Sequence, residues 1–465
     1  MLSTIALRTC TWSERWFPDA FAFAVLAVAV TAIAAVSVGV APSVVAQSFG
    51  TGFWGLIPFT MQMCFIVIGG YVVADSPPVA KFVQHLARLP NSARAAVALV
   101  AIVSLLTSLI HWGLSLVFAS LLARALAQRT DLRMDYRAAG AASCLGTSSV
   151  WPLGLSSSAA QLQANPDSMP PALLHITGVI PFGETIFLWQ SLLIAAIVAL
   201  VCTWVAWQSA PDAATAKTAA ELGIAVQHRG PTLPARTRPG EWIEYSPLPN
   251  LFIAALGLVW LLHEFGGKGA VKAISNLNTY NFIFLILGLL LQWRPRRFLD
   301  SVARSVPGVG GILIQFPFFG AIAAIMTTGM NSSGQTLAAL LGHAFAQVTN
   351  HSTFAIVLGA YSALLGLLIP SGGGRWIIEA PYVMQAANDL HYHLGWAVQI
   401  YNAAEALPNF INPFWMLPVL GILGLKARDL IGFTSLQLVV NLPLVLLLLW
   451  LLGMTLTYHP PVMPP

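Results

Sequence analysis

Long apolar runs separated by short polar segments extend over almost the whole chain. A helix needs about 20 apolar residues to cross a bilayer, and nine runs are close to this length or exceed it. The predicted spans are 17–40, 53–74, 138–162, 184–208, 247–265, 278–293, 307–329, 396–425 and 430–453. The pattern therefore predicts an all-α polytopic membrane protein with about nine transmembrane helices.

Two further apolar segments, at 93–128 and 352–388, are too long for one crossing, and each is interrupted near its centre. The interruptions are His111-Trp112-Gly113 and Pro370-Ser371-Gly372-Gly373-Gly374. Proline and glycine weaken helical hydrogen bonding, and irregular backbone at membrane depth is tolerated only against protein or a wet cavity. We expect two re-entrant hairpins, each of which enters and leaves on one face.

The basic residues are biased toward one side of this topology. With a cytoplasmic amino terminus, 19 of the 22 Lys and Arg residues fall in cytoplasmic segments, Lys268 and Lys272 fall outside, and Arg375 lies at a hairpin tip. Such a bias is typical of positive-inside sorting. We therefore expect a multi-pass protein of the bacterial inner membrane, with the hydrophilic segment 209–246 as a cytoplasmic linker.

The composition agrees with a membrane location. In this chain 57% of the residues are hydrophobic and 8% are charged, whereas about a quarter of the residues of soluble domains are charged. The net charge of +5 is explained by the basic loops and does not indicate a nucleic-acid partner. The four cysteines show no metal-ligand spacing, so no metal site is expected.

A shift of 259 residues aligns the two halves of the chain without a gap, and nine of 23 positions are identical between 91–113 and 350–372. The rarer matches are Gly52 with Gly311, Pro58 with Pro317, Gly70 with Gly329 and Asn91 with Asn350. Five crossings separate the first span from its partner at 278–293, so the second copy is inverted. Inverted repeats with broken helices are typical of secondary transporters. We expect a first repeat at 1–208 and a second at 247–465.

Four interrupted stretches, at 111–115, 148–158, 371–375 and 408–415, are predicted to meet near the middle of the membrane. Unwound backbone presents N–H groups that favour an anion and carbonyl groups that favour a cation. The candidate substrate-binding residues are His111, Trp112, Gly113, Trp151, Ser156, Ser158, Ser371, Gly372, Gly373, Gly374, Arg375, Asn409 and Asn412, and the candidate ion-coupling residues are Glu405, Ser115 and Asn409. This set suits a small carboxylate with Na⁺ or H⁺ as the coupling ion, and no other cofactor is expected.

Two charged residues at or near these stretches, Arg375 and Glu405, allow two interpretations each. Arginine at membrane depth is costly, and the planar guanidinium of Arg375 suits a carboxylate substrate. Glu379 is one helical turn further on, however, so the two side chains are also a candidate structural pair. Glu405 either titrates or coordinates a cation, or is held neutral by Asn402 or Asn409.

Aromatic and imidazole groups flank the same interruptions. His111 either relays a proton or has its imidazole hydrogen-bonded to backbone groups. Trp112, Trp151, Trp376 and Trp415 are candidates for the wall of an apolar acyl pocket.

These stretches resemble the short-chain fatty acid transporter family over nearly the whole chain. The resemblance is carried by Gly52-Phe53-Trp54, Phe59-x-Met61-Gln62-Met63, Trp112-Gly113, Ile180-Pro181-x-Gly183-Glu184-Thr185, Gln315-Phe316-Pro317-Phe318, Pro370-Ser371-Gly372-Gly373-Gly374-x-Trp376, Pro413-Phe414-Trp415-x-Leu417-Pro418 and Gly424-Leu425-Lys426-Ala427-Arg428-Asp429. The resemblance implies short monocarboxylates such as butyrate and acetoacetate as substrates. It also implies a homodimer of the wider ion-transporter superfamily, with a scaffold and a mobile part that moves like an elevator.

The chain departs from the pattern of this family at the expected site. It has Arg375 where a His or Gln is expected, Glu379 where a neutral residue is usual, and His111 where Asn is frequent. The stretch around Pro152 and Leu153 is usually richer in glycine. These differences leave open a substrate other than butyrate.

Several functions compete with this hypothesis. A di- or tricarboxylate symporter is the nearest, because Arg375 adds a cation to the site. A membrane-embedded enzyme is less favoured, since the sequence lacks a metal-ligand cluster and a Gly-x-Ser-x-Gly motif. A passive channel is less favoured because dissimilar interrupted stretches in two inverted halves are typical of a closed, alternating site.

Overall fold

The computed structural model describes residues 20–55, 57–164, 166, 169, 171–226, 233, 235–368 and 372–463. Within these residues the regular structure is helical, apart from two isolated bridges that join Gly178 to Val462 and Met330 to Thr336. The predicted all-α class is confirmed.

The α-helices of this part of the chain are α1 Ala20–Ser37, α2 Pro42–Gly55, α3 Ile57–Ala74, α4 Pro77–Leu86, α5 Ala93–Ile110, α6 Trp112–Ala127, α7 Tyr136–Ser143, α8 Ser158–Ala164, α9 Pro171–Thr177, α10 Trp189–Ser209, α11 Glu241–Tyr245, α12 Leu248–Lys268, α13 Ala270–Ser275, α14 Leu277–Gln292, α15 Pro295–Ser305, α16 Gly310–Thr328, α17 Leu337–Val348, α18 Phe354–Leu368, α19 Gly372–Asp389, α20 Leu394–Ala406, α21 Pro413–Leu423 and α22 Ala427–Gly453. Short 3₁₀ turns lie at Trp151–Leu153, Phe182–Glu184, Val306–Gly308 and Leu407–Phe410.

Six stretches of the described chain are helical, long and apolar enough to cross a membrane. They are Pro42–Ala74, Ala93–Ile110, Trp189–Ser209, Leu248–Lys268, Gly310–Thr328 and Ala427–Gly453. A seventh crossing results if the pair Leu394–Phe410 and Phe414–Leu423, bent by 50°, forms one span. The finer count of about nine spans with two hairpins stays a prediction.

Three of the nine predicted spans, 17–40, 138–162 and 278–293, are not among these candidates, whereas Ala93–Ile110, predicted as half of a hairpin, is one of them. For two of the three the cause is visible. The segment predicted at 278–293 forms α14, which at 16 residues is short for a perpendicular crossing. The segment predicted at 138–162 is helical only at its ends, because α7 stops at Ser143 and turns occupy the residues up to α8. The length of an apolar run in the sequence does not show whether its backbone is broken or forms a continuous helix.

Exposed apolar side chains cover the helices at the periphery of the molecule. Leu200 on α10 is 72% exposed, and on α12 Val259 and Leu262 are 66% and 65% exposed. Soluble proteins rarely display such continuous apolar faces. These faces indicate contact with lipid.

Helix ends of the chain are capped by their own side chains. Ser92 accepts a hydrogen bond from the amide of Ala95 and starts α5, and Asn276 does the same for α14. Asp135 starts α7 and accepts from the amides of Arg137 and Ala138. Its carboxylate also accepts from the backbone N–H of Lys217, so it fastens the linker segment to the helical body.

The helices that flank the interruptions pack on one another. The two halves of the first interrupted segment, α5 and α6, lie side by side, and α6 also packs against α3. In the second interrupted segment, α18 packs against α20, while α19 contacts α8, α9 and α20. The interruptions are thereby enclosed by neighbouring helices, as irregular backbone in a membrane requires.

Candidate functional site

The first interruption consists of a single extended residue, His111, between α5 and α6. Its Nδ1 accepts a hydrogen bond of 2.9 Å from the amide of Leu114, so the side chain caps α6. The imidazole is fully buried, and its ring stacks on Tyr280 of α14 at 4.7 Å between centroids. Among the described residues, its Nε2 has no hydrogen-bond partner. His111 is therefore a cap with one nitrogen still open.

The residues after His111 pack closely against α3. A Cβ placed on Gly113 would lie 2.4 Å from Cγ2 of Ile66, and one on Gly70 would lie 2.8 Å from the backbone of Gly113. Only glycine fits where the two backbones approach this closely. The hydroxyl of Ser115 donates to the carbonyl of Ser104 at 2.6 Å, so this predicted ion ligand already has a partner on α5.

The stretch between α7 and α8 carries three of the predicted residues. Trp151 is 4% exposed and lies in a 3₁₀ turn. The hydroxyl of Ser156 donates to the carbonyl of Ser108 at 2.7 Å, which ties this turn to α5. Ser158 begins α8 and is partly exposed. A Cβ on Gly373 would lie 2.9 Å from Cβ of Ser158, so the start of α8 meets the start of α19 here.

The second interruption leads into α19, whose first turn is Gly372-Gly373-Gly374. Pro370 and Ser371 lie outside the described residues, so the predicted role of Ser371 stays a prediction. The carbonyl of Gly372 accepts a hydrogen bond of 2.6 Å from the hydroxyl of Tyr401 on α20. A Cβ on Gly372 would lie 2.7 Å from Oε1 of Glu405 and 2.8 Å from Cη2 of Trp151. Three separate segments therefore converge on one glycine.

Arg375 is fully buried and lies between two carboxylates. Its Nε is 2.9 Å from Oε1 of Glu379 on the same helix, and its Nη2 is 3.5 Å from Oε2 of Glu405 on α20. The guanidinium also lies over the ring of Tyr401, at 5.1 Å from the centroid. Glu379 in turn accepts from the hydroxyl of Ser362 at 3.3 Å. Both of the sequence interpretations of Arg375 remain compatible with this geometry, because a pair is present and Arg375 keeps further donors.

Several polar atoms of this cluster lack hydrogen-bond partners among the described residues. The donors are Nε and Nη1 of Arg375 and Nε1 of Trp151, and the acceptors are Oε1 of Glu379 and Oε1 of Glu405. The contact between Arg375 Nε and Glu379 is close in distance, but its direction does not make a hydrogen bond. Buried polar groups are normally paired, and an exception calls for an explanation. A carboxylate would satisfy the donors, and a small cation would satisfy the acceptors.

The two asparagines of the fourth stretch connect the interruptions to one another. Nδ2 of Asn409 donates to the carbonyl of Thr147 at 2.9 Å. Asn412 caps α21 by accepting from the amide of Phe414, and its Nδ2 contacts the carbonyl of Leu367 at 3.4 Å. Their amides hold broken backbone from both halves of the chain together, which is a structural role that the sequence did not separate from binding.

A second cluster, formed by Glu184, His393 and His459, was not found from the sequence. Nε2 of His459 is 2.8 Å from Glu184, and the rings of His393 and His459 lie 5.4 Å apart. The three residues come from distant parts of the chain and offer ligand atoms within 4.8 Å of one another. Nδ1 of His393 accepts from the amide of Trp396, so a neutral His393 carries its proton on Nε2, where a metal would have to bind. This arrangement favours an ion pair over a metal site.

Comparison with known proteins gives the same family over nearly the whole chain. The model of the family described as short chain fatty acid transporter matches residues 1–452. A protein of Escherichia coli (strain K12), provisionally named as a short-chain fatty acid transporter, is 32% identical over 435 residues, covering 93% of this chain and 96% of its own. A protein of Haemophilus influenzae (strain ATCC 51907 / DSM 11121 / KW20 / Rd) with the same provisional name is 30% identical over 465 residues, covering 97% of this chain and 100% of its own.

Among solved structures, that of MtrF from Neisseria gonorrhoeae is similar, with a TM-score of 0.53 over 98% of this chain and 100% of that chain. MtrF is described as a protein that illuminates a class of antimetabolite efflux pumps. At 14% sequence identity the likeness concerns the fold alone.

Proposed function

Since the chain belongs to the short-chain fatty acid transporter family, we propose that it is a secondary active symporter that carries short monocarboxylates, such as butyrate or acetoacetate, together with Na⁺ or H⁺. The family and its named members are transporters, so the chain is a multi-pass transport protein and not an enzyme. The proposal concerns the substrate, the coupling and the residues that bind.

The charge of the buried cluster is the observation that carries this proposal. One guanidinium and two carboxylates meet in a site where all three side chains are 4% exposed or less. If all three are ionised, the sum +1 − 1 − 1 gives a net charge of −1. A bound carboxylate would make the net charge of the site −2, which is costly where the dielectric constant is low. A co-transported cation on Glu405 or Glu379 would restore −1.

The net negative charge of the buried cluster also favours a monocarboxylate over a di- or tricarboxylate as substrate. Each further carboxylate would add one negative charge beside Glu379 and Glu405, while Arg375 offers one guanidinium to share. The apolar surroundings of the cluster, with Trp151 and Trp376 buried beside it, suit a substrate with one charged end and an apolar remainder.

The binding residues of this proposal are those whose unpaired atoms face the cluster. Arg375 and Trp151 donate to the substrate carboxylate, and the first turn of α19 at Gly372 and Gly373 adds the positive end of its helix dipole. Glu405 holds the coupling cation. His111, Ser115, Ser156, Asn409 and Asn412 support the broken backbone through the hydrogen bonds described above.

The architecture that we propose for transport has two inverted repeats, at 1–208 and 247–465, joined by the linker 209–246. The segments 93–128 and 352–388 act as re-entrant hairpins and move as the mobile part of an elevator. The chain is proposed to form a homodimer in the bacterial inner membrane with a cytoplasmic amino terminus. The repeat in the sequence supports the inverted halves, and the basic bias of the loops supports the cytoplasmic amino terminus. The homodimer and the elevator movement rest on the family resemblance.

Counterflow in proteoliposomes tests the proposed substrate class. Vesicles that contain the purified protein are loaded with unlabelled butyrate, and the entry of labelled butyrate is measured with acetate, acetoacetate, succinate or citrate as competitor. We expect counterflow that acetoacetate suppresses and citrate does not. Stronger suppression by succinate or citrate would replace this proposal by the di- or tricarboxylate alternative. Entry at the same rate without internal butyrate, and without saturation, would indicate a passive channel.

A further inference from the structure

Three buried tryptophans form one aromatic cluster where the interruptions meet. Trp112 begins α6, Trp151 lies in the turn after α7, and Trp415 lies on α21. The rings of Trp112 and Trp415 pack edge to face at 5.4 Å between centroids, and those of Trp151 and Trp415 lie 6.2 Å apart. We refer to Trp112, Trp151 and Trp415 as the indole cluster. Its members come from both halves of the chain. Aliphatic side chains alone could also have filled the core between these helices.

The indole cluster borders directly on the charged residues. A Cβ on Gly372 would lie 2.8 Å and 3.2 Å from Cη2 and Cζ2 of Trp151, and the same position is 2.7 Å from Oε1 of Glu405. Cη2 and Cζ2 belong to the six-membered ring, so the tip of the indole contacts the start of α19, and Cζ2 lies on the side of the ring that carries the N–H. The Nε1 atom itself is buried and has no hydrogen-bond partner within the described residues. The cluster therefore contacts the charged site through the tip of one indole that also carries an unpaired donor.

The far side of the cluster is closed by phenylalanines. Phe414 packs edge to face on Trp415 at 5.5 Å, and it contacts Phe316 and Phe319 of α16 at 4.9 Å and 5.2 Å. Trp415 is thus the side chain that separates the indole surface near the charges from an apolar region behind it.

We propose that the indole cluster is the subsite for the acyl chain of the substrate, and that Trp415 limits the length of the chain that is accepted. This inference rests on the proposed function and names the part of the substrate that is recognised. The carboxylate is held by Arg375 and by the N–H of Trp151, and a short unbranched hydrocarbon chain lies along the flat indole faces. Tryptophan suits this task because it combines a large rigid apolar surface with one fixed donor.

Two substitutions separate the polar and the apolar role. Trp151→Phe keeps an aromatic ring but removes the donor, so half-saturation should rise by about tenfold for every chain length. Trp415→Leu shortens the wall and should move the preferred substrate by about two carbons toward longer chains, because each buried methylene contributes about fourfold to affinity. Trp204→Phe is the matched control, since Trp204 is 54% exposed on α10.

The measurement is competition of the unbranched carboxylates from acetate to octanoate against labelled butyrate in proteoliposomes. We expect the competition profile of Trp415→Leu to be displaced toward longer chains. The profile of Trp151→Phe should show weaker competition at every chain length but the same preferred length. If Trp415→Leu does not fold, as judged by its elution on size exclusion, Trp415→Phe replaces it with an expected shift of about one carbon. Unchanged profiles in both variants would overturn the subsite while leaving butyrate transport intact. Absence of carboxylate uptake by the wild type would instead overturn the proposed function itself.

Discussion

Arg375 and Glu405 face each other at 3.5 Å between Nη2 and Oε2, although they lie on different helices and thirty residues apart. Both side chains are buried, and each keeps a polar atom without a hydrogen-bond partner in the described structure. A satisfied structural ion pair would leave no such atoms. We therefore propose that a carboxylate substrate and a coupling cation bind next to one another at this pair.

Replacement of Arg375 by Gln should weaken carboxylate binding. A charge-assisted hydrogen bond contributes about 1.5–3 kcal/mol, which corresponds to about 10- to 150-fold in affinity. Arg375→Lys should recover part of this loss, because it keeps the charge but not the planar guanidinium. The concentration of butyrate that gives half-maximal counterflow measures the effect. Wild-type values in a correctly inserted Arg375→Gln protein would exclude contact with the substrate.

Addition of one methyl group at Gly372 should obstruct the site. The Cβ of Gly372→Ala would lie within 3 Å of both Glu405 and Trp151, and such overpacking costs about 1–3 kcal/mol. Uptake should fall by about tenfold. Gly50→Ala is the control, since a Cβ on Gly50 of α2 meets no atom within 4 Å. Equal uptake by the two variants would show that the surroundings of Gly372 are not part of the transport path.

The linker attachment at Asp135 should contribute strongly to stability. Its side chain is fully buried, accepts from the guanidinium of Arg137 at 2.8 Å and holds the amide of Lys217. Loss of one partner from a buried pair costs about 3–5 kcal/mol, so Asp135→Ala should markedly lower the thermal unfolding temperature in detergent. Asp131→Ala, which breaks the exposed pair with Arg129, should have a much smaller effect. Similar shifts in both variants would contradict this account.

The side chain of His459 should help to hold the carboxy-terminal segment in place. Its Nε2 is 2.8 Å from a carboxylate oxygen of Glu184. Removal of the imidazole removes this contact, so the segment should open more often.

Hydrogen exchange at Val179 reports on this segment, because its amide donates to the carbonyl of Val462 at 2.8 Å. At one fixed pH, exchange at this amide should be faster in His459→Ala than in the wild type. Equal exchange rates in the two proteins would show that His459 does not hold the segment.

The sequence predicted the helical class and the interruptions because both depend on local composition. The extended residue at His111 and the start of α19 at the glycine run are both visible as breaks in apolar periodicity. The proximity of Arg375 and Glu379 followed from helical spacing. These features need no knowledge of which helices are neighbours.

Other features depend on tertiary contacts that no local pattern encodes. The pairing of Glu405 with Arg375 and the approach of Trp151 to Gly372 join segments that are far apart in the sequence. The engagement of Ser115 by Ser104 likewise depends on how α6 packs on α5. The cluster of Glu184, His393 and His459 was not predicted because its members belong to three separate segments, and the relevant signal would have been covariation among them.

The extra negative charge on Glu405 should make transport depend on a cation. This dependence is measured as the uptake of labelled butyrate into proteoliposomes, with an imposed inward gradient of Na⁺ or H⁺ and without one. The wild type should accumulate butyrate only with one of these gradients, and an ionophore should abolish the accumulation. Glu405→Gln removes one charge from the cluster, so it should equilibrate butyrate without accumulating it. Gradient-driven accumulation by Glu405→Gln at the wild-type level would contradict the account.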